Sequence, residues 1–258
     1  MPRISVVIIT LNEENNILRC LESVKPFADE IIVVDSMSTD NTIKICTDFG
    51  CKVHHREFTG YSSQKQFAVD QAVNDWVFSI DADEVVSAEL QKEILEIFSE
   101  HANTGMAGPE QPAAYRFRRS LHFMGKLMHF SGVRNEYHIR LFNRKKGGFK
   151  PVTVHEAIEV TGYTGTLSGR FIHYSYRDIS HQLEKINTYT SLAAEGNKKR
   201  GKSFSKIWVA LKFPVSFFSF YFIKLGFLDG YPGFMWSFLA AVYSSLKIAK
   251  TIESTGRT

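Results

Sequence analysis

Short, nearly continuous apolar runs alternate with segments of helical spacing through the N-terminal part of the chain. Ile4-Ser5-Val6-Val7-Ile8-Ile9 is the first run, and Asn12, with Glu13 and Glu14 behind it, predicts a helix start with acids in the first turn. Ile17, Cys20, Leu21 and Val24 then fall on one helix face. The plan repeats with a strand over 30–34, the turn Asp35-Ser36-Met37-Ser38-Thr39-Asp40, and a helix with Ile43, Cys46 and Phe49 on one face, stopped by Gly50. A third strand over 51–55 leads to Gly60-Tyr61-Ser62-Ser63 and a helix through Gln71. Trp76-Val77-Phe78-Ser79-Ile80 is the next run, as apolar as a strand covered on both faces must be. After it, Ser87 is placed to cap a helix with Leu90, Ile94, Ile97 and Phe98 on one face.

Strands alternating with helices at this spacing predict βαβ units and a parallel sheet with right-handed crossovers. The ends of the first, second and Trp76 strands then open on one edge, which brings Thr10, Asn12, Asp35 and Asp81 to one crevice. From about Ala113 the texture changes. Tyr115-Arg116-Phe117-Arg118-Arg119 and His138-Ile139-Arg140-Leu141-Phe142 alternate, and Lys145-Lys146-Gly147-Gly148 reads as a hairpin turn, so this part is expected to be antiparallel. Residues 101–112 read as the linker between the halves, and from Ile179 the chain becomes helical.

Composition narrows the class. A chain of 258 residues buries a full core. Its formal charge of +4 predicts no nucleic-acid partner, and the Lys198–Lys202 cluster is short and lacks a recognition motif. Cys20, Cys46 and Cys51 have neither zinc spacing nor a disulfide framework, which fits a reducing, cytoplasmic setting. The Ile4–Ile9 run lacks a small-residue cleavage site and is read as a strand, not a signal peptide. The 21 Phe and 10 Tyr are unevenly spread: a large share falls in Phe213–Ile223 and Tyr231–Tyr243.

Asp81-Ala82-Asp83-Glu84 follows the Trp76 strand directly. Two carboxylates separated by one small residue suit a hard divalent cation, which in turn neutralises a diphosphate. A solvated acidic turn is the other reading of these residues alone.

Thr10-Leu11-Asn12-Glu13-Glu14, Val33-Val34-Asp35-Ser36-Met37-Ser38-Thr39-Asp40-Asn41-Thr42 and Asp81-Ala82-Asp83-Glu84, in this order, resemble the family 2 glycosyltransferases, inverting enzymes with the GT-A fold. The resemblance covers roughly residues 3–160. Gly60-Tyr61-Ser62-Ser63-Gln64-Lys65-Gln66-Phe67-Ala68, Val154-His155-Glu156 and Gly226-Phe227-Leu228-Asp229-Gly230 are similar to the lipopolysaccharide inner-core branch, where the activity is often transfer of glucose to a core heptose. The implied fold is α/β: a Rossmann-like, mostly parallel sheet, an antiparallel acceptor-side part, and C-terminal helices. The implied division is a nucleotide-sugar-binding half over 1–100, an acceptor-side half over 113–178, and a helical segment over 179–258.

The resemblance also implies a nucleotide-sugar donor, usually a UDP-sugar, with Mg²⁺ or Mn²⁺. Thr10, Asn12 and Glu13 would lie on the donor side, with the main chain around Thr10 contacting the base. Asp35 matches the uracil-contacting acid; a helix-capping role is its alternative, and Asp40 competes for that role. Asp81 would lie near the ribose and Asp83 on the metal. Lys65 stands where the family has a basic residue near the donor, unless it is a solvated lysine. Glu84 either contacts the acceptor or begins the Ser87 helix. Inversion needs a carboxylate to take the proton of the acceptor hydroxyl, and Glu156 stands where the family places its base. The commoner pattern there is an Asp within an acidic pair, and this chain departs from it. His155 completes the metal's coordination, orients an acceptor, or is an ordinary loop histidine. Asp178 and Glu136 are weaker candidates for the base. Arg140, Arg116, Arg118 and Arg119 lie where they can face an anionic acceptor or form a solvated strand face.

In the C-terminal part, aromatic residues punctuated by Lys198, Lys199, Arg200, Lys202, Lys206, Lys212 and Lys224 suit a membrane interface. Pro214 and Pro232, with nearby glycines, predict short helices lying on the anionic inner leaflet without crossing it; packing on the protein or a homo-oligomer interface is the alternative. A lipid-linked saccharide acceptor would make such attachment useful. Two other functions compete. A nucleotidyltransferase needs a Gly-rich basic loop after the first strand, and Thr10–Glu14 is acidic without glycine. A non-catalytic nucleotide-binding scaffold has no evident use for Asp81, Asp83 and Glu156.

Overall fold

Strand β1 (Ile4–Thr10) is buried along nearly its whole length, because helices cover the sheet on both faces. Its neighbours β2 (Glu30–Asp35) and β4 (Trp76–Asp81) run parallel to it, and β3 (Lys52–His55) runs parallel to β2. Alternate residues of each strand enter different cores. Val6, Ile8, Val33, Phe78 and Ile80 pack with helices α1 (Ile17–Val24), α2 (Thr42–Phe49) and α4 (Ala88–Thr104) through Leu21, Cys46 and Leu90. Val7, Ile32, Val34 and Val77 pack against α3 (Tyr61–Asp70) through Ala68 and Val69. This two-sided burial is why the strands read as unbroken apolar runs. The structure, a computed structural model, describes residues 3–104, 111–133, 136–150, 157–176 and 178–256.

Beyond β4 the sheet turns antiparallel. Strand β8 (Glu136–Asn143) pairs with β4, placing Phe78 opposite Leu141, and the order continues through β6 (Ala114–Phe123), β11 (Thr164–His173) and β5 (Glu84–Val86). The mixed sheet follows the sequence expectation, with four local departures. Asn12 does not begin α1, which starts at Ile17; Asn12 has φ 55° and ties down the next loop instead. The turn at 145–148 does not fold back on β8: β9 (Gly147–Phe149) pairs with β10 (Ile158–Val160) in a separate two-stranded sheet. Helix α4 continues to Thr104, inside the expected linker, after Ser87 caps its start by accepting from the Leu90 N–H. Pro214 lies inside a helix and does not end it.

The chain forms two units, residues 1–119 with 135–173 and residues 120–134 with 174–258. In the second, the end of β6 pairs with β7 (Lys126–Leu127), α5 (Ile179–Lys199) and α7 (Tyr231–Ser254) bring Ile186 and Leu239 into a core with Leu121, Phe123 and Met128, and α6 (Ile207–Phe218) packs against α7. Asp178 caps α5 by accepting from the His181 N–H at 2.7 Å, a structural duty for that weaker base candidate. A π-helical turn (Ser219–Ile223) and a 3-10 turn (Gly226–Asp229) join α6 to α7.

The Gly-Phe-Leu-Asp-Gly stretch has a packing explanation. Asp229 is buried, and its carboxylate accepts from the backbone N–H groups of His129 and Phe130 at 3.2 and 2.9 Å. A Cβ on Gly226 would meet Ser131 Oγ at 2.5 Å, and one on Gly233 would meet the Gly226 carbonyl at 2.0 Å, so neither position has room for a side chain.

Candidate functional site

Register alone gathers the crevice residues. Thr10 pairs with Asp35 and Ile9 with Asp81, so the three parallel strands end together. Thr10 is buried, and its Oγ1 has no hydrogen-bond partner among the described residues. Asp35 is buried with its carboxylate already engaged: it accepts from the N–H groups of Met37 and Ser38, each at 3.0 Å, and faces His55 Nδ1 at 3.3 Å. Asn12 Oδ1 accepts from the Thr39 N–H at 2.8 Å, and Glu13 accepts from Asn16 Nδ2 at 2.6 Å. Asp40 accepts from the Thr42 N–H at the start of α2, as the capping role assigned to it requires. The loops after β1 and β2 are thus tied to one another by short polar side chains.

The acidic turn after β4 is built around two cations. Lys65, buried on α3, reaches Asp81 Oδ1 at 2.7 Å, and Arg140 reaches Asp81 Oδ2 at 3.2 Å and Glu84 Oε1 at 2.8 Å. Lys65 is therefore not a solvated lysine. Arg140 does not face a solvated acceptor surface; it is a buried counter-ion stacked over Phe171 at 5.2 Å. Burial raises the Asp81 carboxyl's pKa, but the charges of Lys65 and Arg140 outweigh it and hold the group well below the usual carboxylate range. Glu84 shows the opposite balance. Burial lifts its pKa above the ordinary value against the pull of Arg140, helped by the neighbouring Asp81 charge. With its side chain 1% exposed and accepting from the Asp81 N–H at 3.0 Å, Glu84 shapes the turn from within; it begins β5, not the Ser87 helix.

Asp83, like Asp81 and unlike Glu84, is a partly exposed acid. Its partner, absent from the sequence expectations, is His173: Nε2 lies 3.0 Å from Asp83 Oδ2, both side chains remaining about one-fifth exposed at 22% and 18%. Burial disfavours the imidazolium, but the hydrogen bond and charge of Asp83 prevail and raise the His173 pKa. No local motif announces His173. It reaches the turn because β11 pairs with β5, setting His173 opposite Glu84.

A carboxylate oxygen beside an imidazole nitrogen is a donor pair suited to Mn²⁺ and, less well, to Mg²⁺. Among the described residues no group of three or more His, Cys, Asp and Glu is placed to hold a metal ion. The two would serve a cation only with Nε2 deprotonated and released from Asp83 Oδ2, and the cation's remaining positions would fall to water and phosphate oxygens. Glu156 and His155 lie outside the described residues.

Residues 5–166 match the family model described as glycosyl transferase family 2. An uncharacterised glycosyltransferase of Rickettsia typhi is 36% identical over 262 residues, covering 98% of this chain and 88% of that protein. The lipopolysaccharide core biosynthesis glycosyltransferase LpsC of Rhizobium meliloti is 32% identical over 257 residues, covering 97% and 92%. Among solved structures, S. aureus TarS aligns with a TM-score of 0.37 at 24% identity over 48% of this chain and 22% of that one. Glucosyl-3-phosphoglycerate synthase of Mycobacterium tuberculosis, crystallised with Mn²⁺ and UDP, aligns with a TM-score of 0.35 at 26% identity over 45% and 44%. The family match spans the strands that carry the acidic turn, and the two relatives align over nearly the whole chain: this protein is a glycosyltransferase belonging to glycosyl transferase family 2.

Proposed function

We propose that the chain transfers a hexose, glucose in this reading, from a UDP-sugar to a lipid-linked or lipopolysaccharide-core saccharide, with inversion at the anomeric carbon. The observation that carries the proposal is the acidic turn after β4, flanked by two buried cations in a chain of this family. The relative named for lipopolysaccharide core biosynthesis supports the acceptor class. Asp35 and the main chain at Thr10 would receive the base, and Lys65 adds positive charge where the diphosphate would lie. Asp83 and His173 would hold Mg²⁺ or Mn²⁺, with His155 a further candidate ligand. The cation supplies charge neutralisation of the diphosphate leaving group. Glu156 acts as the base, taking the acceptor hydroxyl proton during in-line attack, so no covalent intermediate on the enzyme is needed.

Thermal unfolding tests the donor site. UDP with Mn²⁺ is expected to raise the melting temperature of the wild type, since a ligand at about 100 times its Kd adds about 2.7 kcal/mol. UDP or Mn²⁺ alone is expected to do much less, and Asp83→Asn to abolish the joint effect. Equal stabilisation of Asp83→Asn and wild type would remove Asp83 from the metal site.

The second unit is proposed to attach peripherally to the inner face of the cell membrane. No helix among the described residues is long and apolar enough to cross a membrane. Residues 196–228 nevertheless contain no Asp or Glu while including the seven cations named above, Lys198 through Lys224. Ile207, Trp208, Leu211, Val215, Phe218 and Phe222 recur along α6 and the π-helical turn as an exposed apolar stripe. Exposed rings and aliphatic groups beside lysines match the acyl boundary and anionic headgroups. The protein is expected to float with phosphatidylglycerol-containing liposomes at low salt and to be released in part at high salt. A chain that stays in the soluble fraction at low salt, with the stripe buried in a dimer by sedimentation, defeats this attachment.

A further inference from the structure

Arg116 and Arg118 on β6 are exposed, and they stand on one face of the sheet. Their neighbours Tyr115 and Phe117 enter the core beneath α4, so strand alternation puts the two arginines on the opposite face, the one that carries α3 and Lys65. Tyr137 on β8 is the cross-strand partner of Arg118. The guanidinium carbons lie 5.6 Å (Arg116) and 5.5 Å (Arg118) from the centre of its ring. Each guanidinium is fixed by its inner nitrogen: Arg118 Nε donates to Tyr137 Oη at 2.7 Å, and Arg116 Nε donates to Thr166 Oγ1 at 3.0 Å. Among the described residues no hydrogen bond engages the terminal nitrogens, the bidentate edge of each fork, and both side chains are exposed.

The charge balance is unusual for a strand face. Arg119 next door is paired with Glu136, whereas among the described residues no carboxylate lies within ion-pair distance of Arg116 or Arg118. Two cations held against one ring repel each other, and an anion spanning their terminal nitrogens would relieve that repulsion. The location is also specific. Because β8 runs antiparallel to β4 with Phe78 opposite Leu141, its beginning at Tyr137 extends past Asp81. The arginine pair thus lies alongside the ligand edge of the sheet, on the face of Lys65.

We propose that Arg116, Arg118 and Tyr137 form an anion subsite that binds a phosphate group carried by the saccharide acceptor. The assignment to the acceptor rests on the sugar-transfer reading above; the anion site itself rests on the geometry. Lys65 and the Asp83–His173 pair lie on other elements, so the donor diphosphate and the acceptor phosphate would bind together. The ring and the Nε tethers pre-organise both forks, which lowers the ordering cost of binding.

Calorimetric titration with glucose 6-phosphate, and with glucose as the uncharged control, tests this on the full chain. Wild type is expected to bind the sugar phosphate in preference to glucose, both without and with saturating UDP and Mg²⁺. In the Arg116→Gln/Arg118→Gln variant the Kd for glucose 6-phosphate is expected to rise about tenfold, with UDP affinity and melting temperature unchanged. Equal affinity in wild type and variant, or equal affinity for glucose and its phosphate, overturns the anion site. Displacement of the sugar phosphate by UDP overturns its assignment to the acceptor, since the anion would then occupy the donor's place. Absence of UDP binding by the wild type fails the sugar-transfer reading by itself, whatever the sugar phosphate does. The singly substituted Arg118→Lys variant keeps the charge but loses the fork; it is expected to bind more weakly than wild type and more tightly than the double variant.

Discussion

Arg140→Met is expected to destabilise the protein by about 3–5 kcal/mol, because it removes the counter-ion of a buried carboxylate and leaves the charge behind. Glu84 is fully enclosed, and Arg140 is its ion-pair partner at 2.8 Å as well as one of the two cations on Asp81. The loss is expected to depend on pH in a defined direction. Without Arg140 the folded-state pKa of Glu84, already above its ordinary value, rises further. A folded pKa above the unfolded one contributes stability that is present below the unfolded pKa and lost as pH rises. Asp81 moves the same way. Its depressed pKa adds stability above the unfolded value in the wild type, and part of that contribution disappears in the variant. Both effects make the deficit larger near neutral pH than near the carboxylate range. Urea midpoints of wild type and variant at acidic and neutral pH measure this; a deficit that is the same at both, or under about 1 kcal/mol, would sink the counter-ion role. Arg140→Met/Glu84→Gln is expected to regain much of the lost stability, since the uncompensated charge is gone.

Glu156→Gln is expected to lower turnover by about 10²–10⁴-fold while UDP binding stays unchanged, the signature of a lost general base. The amide keeps the size of the side chain and its ability to accept one hydrogen bond from the acceptor hydroxyl, but it cannot take the proton. The loss should fall on kcat and on kcat/KM alike, because the interaction removed is made in the transition state. Transfer of glucose from UDP-glucose onto dephosphorylated and phosphorylated core oligosaccharide, followed together with UDP affinity, measures it. Near wild-type turnover in Glu156→Gln transfers the role to another carboxylate. Asp178 is then a poor successor, since its side chain is committed to the first turn of α5.

The parallel half of the fold was legible because its physics is local. Buried strands flanked by helices must be apolar on both faces, and the runs at Ile4, Glu30 and Trp76 showed this directly. Ser87 and Asp40 were readable as caps because a short oxygen-bearing side chain satisfies backbone N–H groups only a few residues away. Asn12 misled for the same local reason. Asn followed by acids is a helix-start pattern, but its side chain accepts from Thr39, across the sheet edge, which no local pattern encodes.

The sequence by itself determined the strand and helix order of the parallel part, the acidic turn after β4, and the family. These are properties of neighbours along the chain: periodicity, turn chemistry, and a carboxylate pair with one residue between. Tertiary structure alone decided which charges meet. Arg140 looked like a surface arginine of an alternating strand, and it became a buried counter-ion because the antiparallel pairing of β8 with β4 carries it to Asp81 and Glu84. His173 ended an ordinary strand, and the pairing of β11 with β5 set it against Asp83. Register between strands distant in sequence is fixed by cooperative burial of whole faces, and the partners of a charged side chain follow from that register.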